Sequence, residues 1–313
     1  MNYYLGMDIG GTNARIEAVD EAGQVIFALQ GRGGTPLESG VEVMRQRLRE
    51  LILPALERAG LTPGDCRGLV AGAAGIDTAR SQAQYAGLLS ELGFDPAILG
   101  LFNDCELLLA ALPTPGAVLI GGTGSIAAGR AEPNGEVLRA GGWSHLLSDE
   151  GSGTYIATQA LRALVRYWDG REDCPLLAEL IRERTGLDSA ENITVYFHGH
   201  ITDKDTVASL APVVGAAAEG GDPVAQAILL DAAGQLYGLL RDDLRKLRIG
   251  NREVTVLLWG SVLLKNLTVQ NEVLRRLRSE HPAARPCTLE TTAVHCAARI
   301  ACGLPTGDLL RAV

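Results

Sequence analysis

The sequence predicts an α/β protein whose two halves begin in the same way. Each half opens with a strand, a glycine turn, a second strand, a tight turn and a third strand. The glycine turns share the residues Gly-Gly-Thr, at positions 10–12 and 121–123. A chain of 313 residues is long enough for about two domains. The internal repeat therefore predicts two domains, 1–113 and 114–292.

Strands and helices alternate along the first half. Strands Tyr3–Asp8 and Ala14–Val19 flank the first glycine turn, and strand Val25–Leu29 follows. Helix Gly40–Ala59 is predicted because apolar residues at 41, 44, 48, 51 and 52 fall on one face. The other predicted elements are strand Arg67–Ala71, helix 78–92, strand Ala97–Phe102 and helix Glu106–Leu112.

The second half follows a Pro-Thr-Pro-Gly segment at 113–116, a pattern that marks a boundary. After its three opening strands it is mostly helical. The predicted strands are Ala117–Ile120, Ser125–Arg130, Val137–Ala140, Val254–Leu258 and one near Cys287–Glu290. The predicted helices cover about 152–168, 175–184, 205–219, 222–248, 262–280 and 293–303.

Composition and charge exclude several classes of protein. The net charge is −9 with no basic block, which makes nucleic acid or an anionic membrane a poor partner. Residues 1–10 do not form a signal peptide and no run of about 18 apolar residues exists, so we expect a cytoplasmic protein. The six cysteines form no C-x-x-C pair, which excludes zinc-ribbon and thioredoxin-like sites. We expect them to be reduced core residues.

The two glycine turns are candidate phosphate-binding hairpins. Glycines let backbone N–H groups converge on a phosphate, and Asp8, beside the first turn, could hold Mg²⁺ through water. A plain hairpin that ends in Asp would have the same pattern. Because two such hairpins open two similar halves, they predict two jaws that close on one polyphosphate. A P-loop is excluded because its motif is absent, and Gly72–Gly75 lacks the spacing of a dinucleotide fingerprint. The candidate phosphate contacts are Gly10, Gly11, Thr12, Asn13, Gly122, Thr123, Gly124 and Ser125.

Asn103 and Asp104 follow an apolar strand and precede a helix, where loops place reactive groups. In phosphoryl transfer to a hydroxyl, a carboxylate accepts the hydroxyl proton and aims the oxygen, a role that suits Asp104. Capping of the helix is the structural alternative for the same residue.

Three further segments carry candidate functional residues. Trp143, after Gly142, could stack on a sugar, and Asp149 could bind substrate hydroxyls or metal-bound water. Ser152 could cap the helix that follows. Gly260 and Ser261, after a strand, would allow a flat ligand to approach the backbone. A buried tryptophan and a simple strand–helix turn are the structural alternatives. His198 and His200 fit no complete metal site, and we expect an exposed loop or a helix end.

Taken in order, these motifs resemble the actin/hexokinase/Hsp70 superfamily of ATP-dependent phosphotransferases. Within it, the BadF/BadG/BcrA/BcrD ATPase family is most similar, specifically its N-acetylglucosamine-kinase-type members. Segments 8–12 and 119–125 resemble the two phosphate motifs, and 102–104 resembles the segment with the catalytic aspartate. Residues 142–152 resemble the sugar-side loop, and 257–261 the adenosine motif, with Ser261 in place of a more usual glycine.

The resemblance implies two ribonuclease-H-like domains around a central cleft, with the last helix, about 293–313, packed back on the first domain. It implies ATP and Mg²⁺ as cofactors, domain closure and a homodimer. It also implies a sugar kinase acting on N-acetylglucosamine or a related amino sugar. Asp104 would be the catalytic base, Asp8 the metal anchor, and Gly260 and Ser261 part of the nucleotide site. The substrate would be bound by Asn103, Asp104, Gly142, Trp143 and Asp149.

Departures from the family pattern bear on which sugar is used. Ile126 stands where relatives that bind N-acetylglucosamine tend to carry Asn, and the loop Gln30–Pro36 has no Asn. Gly72–Gly75 stands in place of a serine-bearing turn. Two other functions are alternatives. One is an ATPase that activates a partner enzyme through an iron–sulfur cluster, although the cysteines offer no obvious ligand pair. The other is a sugar-sensing regulator, although strand one begins at Tyr3 and leaves no room for a helix-turn-helix before it.

Overall fold

The chain folds into two compact units. A computed structural model describes residues 1–11, 13–76, 78–133, 135–200 and 202–313, with only the backbone described at 37 and 38. Unit 1 comprises Met1–Pro113 and Thr288–Val313, and unit 2 comprises Thr114–Cys287. The chain passes between the units within strand β10 (Ala284–Leu289).

Unit 1 is built on a five-stranded sheet with the strand order β3-β2-β1-β4-β5. Strand β1 pairs antiparallel with β2 and parallel with β4, and β4 pairs parallel with β5. The strands of this sheet are β1 (Tyr3–Ile9), β2 (Asn13–Val19), β3 (Val25–Arg32), β4 (Cys66–Ala73) and β5 (Leu99–Phe102). The short C-terminal strand β11 (Leu310–Ala312) belongs to the second sheet. The helices of unit 1 are α1 (Pro36–Ser39), α2 (Val41–Arg58), α3 (Ala79–Glu91), α4 (Asp104–Ala110) and α13 (Ala293–Ala301), with single 3₁₀ turns at Pro63–Asp65, Pro96–Ile98 and Gly307–Leu309.

Helices cover this sheet through their apolar faces. Helix α2 buries Met44, Leu48 and Ile52, whose spacing places them on one side of the helix. Helix α13 packs against β1 so closely that a Cβ at Gly6 would collide with the backbone of Ala298. Since only glycine permits that approach, Gly6 fixes the distance between α13 and the sheet.

Unit 2 contains most of a six-stranded sheet with the order β11-β10-β9-β6-β7-β8. Apart from β11, both sheets have the same order counted along the chain, third-second-first-fourth-fifth, so the repeated opening in the sequence corresponds to a repeated topology. Its other strands are β6 (Gly116–Gly121), β7 (Ser125–Arg130), β8 (Leu138–Gly141) and β9 (Val254–Trp259). Its helices are α5 (Gly153–Trp168), α6 (Pro175–Thr185), α7 (Ala190–His200), α8 (Lys204–Ala208), α9 (Ala211–Glu219), α10 (Pro223–Lys246), α11 (Ser261–Lys265) and α12 (Leu267–Glu280).

Several of the predicted helices differ from those in the structure. The helix expected at 262–280 is two helices, because Asn266 ends the first and its side chain accepts the Val269 N–H at 3.0 Å. The helix expected at 205–219 is also two, and Pro212 lies in the first turn of the second. Helix α7 was not predicted, and His198 and His200 lie at its end. Ser152 caps α5, as expected, and Asp222 caps α10.

The cysteines and the helices bear on two further expectations. All six cysteines are free thiols and five of them are buried, as predicted, whereas Cys302 is only partly buried. Among the residues that the structure describes, no helix is long and apolar enough to cross a membrane.

Candidate active site

In unit 1 the parallel strands bring Asp8 and Asp104 to one edge of the sheet. Asp8 is in register with Gly72 on β4, and Gly72 with Phe102 on β5. Asp104 comes two residues after Phe102, at the first position of α4. The carboxyl ends of parallel strands share one edge, which is where open α/β sheets bind ligands.

The charge of each carboxylate adds to the electrostatics of this edge. Burial raises the pKa of Asp8, and the negative charge of Asp104 raises it further. Arg15, on the paired strand β2, opposes both effects, with its Nη1 3.4 Å from Asp8 Oδ2. Two carboxylates and one guanidinium at a strand end form a site that gains stability from added positive charge.

Asp104 is exposed, and the residue before it does the capping. Asn103 Oδ1 accepts the Glu106 N–H at 2.7 Å, and Glu106 Oε2 accepts the Asn103 N–H at 3.3 Å. This reciprocal pair is a capping box. Asp104 Oδ1 accepts the N–H of the adjacent Cys105 at 3.0 Å. The capping role considered for Asp104 therefore belongs to Asn103, which is 9% exposed.

Backbone hydrogen bonds fix the conformation of the first glycine hairpin. The Gly10 N–H donates to the Asn13 carbonyl at 2.8 Å, and the Gly34 N–H donates to the Gly10 carbonyl at 2.9 Å. A Cβ at Gly33 would lie 2.5 Å from the Asn13 carbonyl oxygen. The Asn13 side chain accepts the Gln30 amide at 2.9 Å. Gly11 lies exposed at the tip, and Thr12 lies outside the described residues.

The second glycine hairpin is clamped by the start of α5. Asp149 is buried, 6% exposed, and its Oδ1 accepts the Ser125 N–H at 3.1 Å. The Gly153 N–H donates to the Gly122 carbonyl at 2.7 Å, and Thr154 Oγ1 donates to the Thr123 carbonyl at 2.8 Å. Burial raises the pKa of Asp149, while the Ser125 N–H, Lys204 and His145 lower it. Asp149 thus stabilises the hairpin through its buried hydrogen bond with the Ser125 N–H.

Gly260 packs directly against the same hairpin. It has φ +94° and ψ 155°, a conformation almost restricted to glycine. A Cβ there would lie 2.5 Å from the Gly121 carbonyl oxygen and 2.8 Å from the Gly122 nitrogen. Ser261 is exposed at the start of the short α11. Residues 121–125 and 260 are therefore one packed group.

The loop after β8 presents an aromatic ring to solvent. Trp143 is 63% exposed, and the Arg139 guanidinium carbon lies 3.8 Å from the centroid of its ring. The loop turns sharply at Gly141, Gly142 and Ser144, which all have positive φ. A Cβ at Gly142 would lie 2.8 Å from Ile126 Cδ1. The tryptophan is thus a surface residue, and not the buried loop residue that was the alternative.

Three contacts of this site were missed in the sequence: Arg15 on Asp8, Gly33 on the first hairpin and Arg139 on Trp143. Arg15 is detectable in principle, because antiparallel pairing across a tight hairpin places Asp8 opposite Arg15. Gly33 and Arg139 carry no local signal. Among the described residues, no group of three or more His, Cys, Asp or Glu side chains is arranged to hold a metal ion.

Comparison with known proteins identifies the family. The model of the BadF/BadG/BcrA/BcrD ATPase family matches residues 5–286. This chain belongs to that family. It is 29% identical over 289 residues to an N-acetylmuramic acid/N-acetylglucosamine kinase of Clostridium acetobutylicum, which covers 91% of this chain and 93% of the relative. It is 25% identical over 297 residues to an N-acetyl-D-glucosamine kinase of Dictyostelium discoideum, covering 90% and 92%.

Solved structures agree on the fold. A proposed N-acetylglucosamine kinase from Chromobacterium violaceum superposes with a TM-score of 0.75 at 25% identity, covering 95% of this chain and 98% of that one. A glucokinase of the ROK family from Streptomyces griseus gives a TM-score of 0.56 at 16% identity, covering 96% and 99%, a likeness of fold alone. The fold is the two-domain α/β fold of the actin-like ATPases, as predicted. The chain is an enzyme of the kinase class, an ATP-dependent phosphotransferase.

Proposed function

We propose that this enzyme transfers the γ-phosphoryl group of ATP to a hydroxyl of an amino sugar. The observation that carries the proposal is the placement of Asp8 and Asp104 at the same edge of the unit 1 sheet, Asp8 near the end of β1 and Asp104 just after β5. The names of the relatives from Clostridium acetobutylicum and Dictyostelium discoideum support an amino sugar as the acceptor.

Asp104 is the proposed general base. Its carboxylate is exposed at the first position of α4, with Asn103 and Glu106 fixing the backbone beneath it. A carboxylate held in this way can accept the proton of a substrate hydroxyl and aim its oxygen at the phosphorus. In this scheme Asn103 acts mainly through Asp104, because its side-chain oxygen already accepts a backbone N–H.

Asp8 is the proposed anchor for Mg²⁺. The donor chemistry fits, since magnesium favours one or two carboxylates together with retained waters and substrate phosphates. Bound there, the ion would neutralise charge on the phosphates. Burial and Asp104 both disfavour the charged form of Asp8, so a cation would offset a cost that Arg15 only partly relieves.

The two hairpins are the proposed phosphate cradles. The N–H groups of Gly10, Gly122 and Ser125 are used inside the protein. These three residues therefore fix the hairpin shape, and the tip residues Gly11, Thr123 and Gly124 would face the phosphates. Thr12, Asn13, Gly260 and Ser261 complete the nucleotide site in this proposal. Asp149 stabilises the second hairpin through its hydrogen bond with Ser125, in addition to any contact with the sugar.

The acceptor would lie against the loop of Gly142 and Trp143. An exposed indole offers a flat apolar face for the CH groups of a sugar ring. The iron–sulfur alternative receives no support from the cysteines, because five of the six are buried and Cys302 is partly buried.

The test is an ADP-release assay with N-acetylglucosamine, N-acetylmuramic acid, glucosamine and glucose as acceptors. The phosphorylated product is identified by mass spectrometry. Asp104→Asn is the test variant and Asp95→Asn is the matched control. Asp95 caps the turn before β5, at the opposite end of the same strand, through the Ala97 N–H at 2.9 Å. Release of ADP with no sugar dependence, or equal activity in both variants, would refute the proposal.

A further inference from the structure

Helices α5 and α7 of unit 2 enclose a surface cavity of about 410 Å³. Its floor is apolar, with Leu161 and Val165 from α5 and Ile193 and Phe197 from α7. Each pair is spaced by four residues, which places both side chains on one face of the helix. Leu161 and Ile193 are only 3% and 2% exposed, and Val165 and Phe197 pack against the same core. Small-molecule sites usually have volumes of about 300–1,000 Å³ and mostly apolar walls, so this cavity fits a small ligand.

The rim of the cavity is basic. Arg162, Arg166 and Arg171 line it, and no Asp or Glu side chain of the described residues does. Arg166 Nε lies 3.2 Å from Glu172 Oε2, and Arg171 Nη2 lies 2.6 Å from Asp169 Oδ2, so these two charges are balanced by neighbours. Arg162 lies one turn before Arg166, is exposed and forms no ion pair with a described residue. The rim therefore has a net positive charge in a chain whose net charge is −9, and it attracts an anion.

The cavity is separate from the second hairpin, although α5 takes part in both. Gly153 and Thr154, the first two residues of the helix, hold the hairpin through their hydrogen bonds. Arg162 follows Thr154 by two turns of the same helix, about 12 Å further along at a rise of about 1.5 Å per residue. A ligand at this rim would therefore not occupy the proposed phosphate contacts.

We propose that this cavity binds a small amphipathic carboxylate, a single carboxylate group joined to an apolar body. The guanidinium of Arg162 binds the carboxylate, because its planar fork matches the two oxygens. One unbalanced guanidinium suits a singly charged carboxylate better than a phosphate, which carries nearly two charges. The apolar body covers Val165 and Phe197, which are only partly buried by the protein. The site is independent of the sugar that the enzyme phosphorylates.

Titration calorimetry with octanoate, octanol and acetate separates the two contributions to binding. Octanoate has a carboxylate and an apolar chain, octanol has the chain without the charge, and acetate has the charge almost without the chain. Octanoate should bind about 10- to 100-fold more tightly than octanol, the range for a charge-assisted hydrogen bond. It should also bind at least 10-fold more tightly than acetate, because acetate cannot cover the apolar floor.

Substitutions of exposed rim residues test where octanoate binds without disturbing the core. Arg162→Gln should lower the affinity for octanoate about 10- to 100-fold and leave the affinity for octanol unchanged. Thr194, on α7, also lines the cavity and is exposed. Thr194→Glu adds a carboxylate there and should abolish octanoate binding, whereas Thr194→Gln, of the same size but neutral, should retain it. Arg182→Gln, an exposed arginine on α6 outside the cavity, is the control.

The results that would overturn the proposal are equally specific. Equal affinity for octanoate in the wild type and Arg162→Gln would place the ligand elsewhere, and an equal loss in Thr194→Gln and Thr194→Glu would remove the role of charge. A second copy of the chain on this face would give no octanoate binding and a sedimentation coefficient that Thr194→Glu lowers. None of these measurements uses ADP release, so the outcome is separate from that of the kinase assay.

Discussion

Replacement of Gly260 by alanine should damage the nucleotide site far more than it damages the fold. The reason is the close packing of Gly260 on the second hairpin, where a Cβ would lie 2.5 Å from the Gly121 carbonyl oxygen. Relief to an ordinary contact of 3.4 Å requires about 0.9 Å of movement. The atoms that must move are backbone, so no side-chain rotation can absorb the collision.

The chain offers a matched control at the same backbone angle. Gly221 also has φ +94°, and a Cβ there would meet nothing within 4 Å. Each alanine should cost about 1–3 kcal/mol of the free energy of unfolding for its backbone conformation. Only Gly260→Ala should also displace the hairpin, and a misplacement of about 1 Å typically lowers activity about 10²-fold.

The assay has two parts, urea unfolding for stability and initial rates at varied ATP for the site. We expect both variants to lose stability through their shared φ, and Gly260→Ala to lose more because of the added collision. Gly260→Ala should lose about 10²-fold in kcat/KM for ATP, whereas Gly221→Ala should stay within about threefold of the wild type. Similar kinetics in the two variants would show that the hairpin beside Gly260 does not hold the phosphates.

Three further outcomes are expected. Asp104→Asn should fold normally, bind ATP as the wild type does and lose about 10²–10⁴-fold in kcat, because Asn cannot accept a proton. Activity within about threefold of the wild type would show that Asp104 is not the general base. Ile126→Asn should change the ranking of amino sugars in kcat/KM and leave the KM for ATP nearly unaltered; an unchanged ranking would exclude this position from specificity. Asp243 is fully buried, and desolvation raises its pKa to about 7, only partly opposed by Lys246. The folded state then binds this proton more tightly than the unfolded state does. The free energy of unfolding should therefore fall as the pH rises from about 4 through 7. A shift of three pKa units corresponds to a fall of about 4 kcal/mol. Asp243→Asn should flatten that pH dependence in thermal unfolding, and an unchanged slope would contradict the assignment.

The parts of the site that follow from the sequence are those with a local signal. Glycine-rich turns between apolar strands predicted both hairpins, because such turns commonly join antiparallel strands. Asp104 could be placed at a strand end because the strand and the helix after it are both clear. The sequence could not show which of Asn103 and Asp104 caps the helix, since either residue type can do so.

Contacts between distant segments could not be predicted. Gly33 meets the first hairpin, and Arg139 meets Trp143, through loop and strand geometry that no spacing rule describes. The burial of Asp149 against Ser125 depends on where α5 begins. The predicted helices that divide near Asn266 and Pro212 show the same limit. The spacing of apolar residues continues from one helix into the next, so it does not reveal where the first helix ends.

The contact between α13 and β1 dictates an order of assembly. Unit 1 is split in sequence, and Gly6 meets Ala298 only after all of unit 2 has intervened. Unit 2 is continuous and can form its core from its own residues as the chain is made, while the sheet of unit 1 stays uncovered on its α13 face. Contacts of such long sequence separation are slow to form, and exposed apolar surface invites aggregation meanwhile. A chain cut before Ala293 would carry this vulnerability permanently.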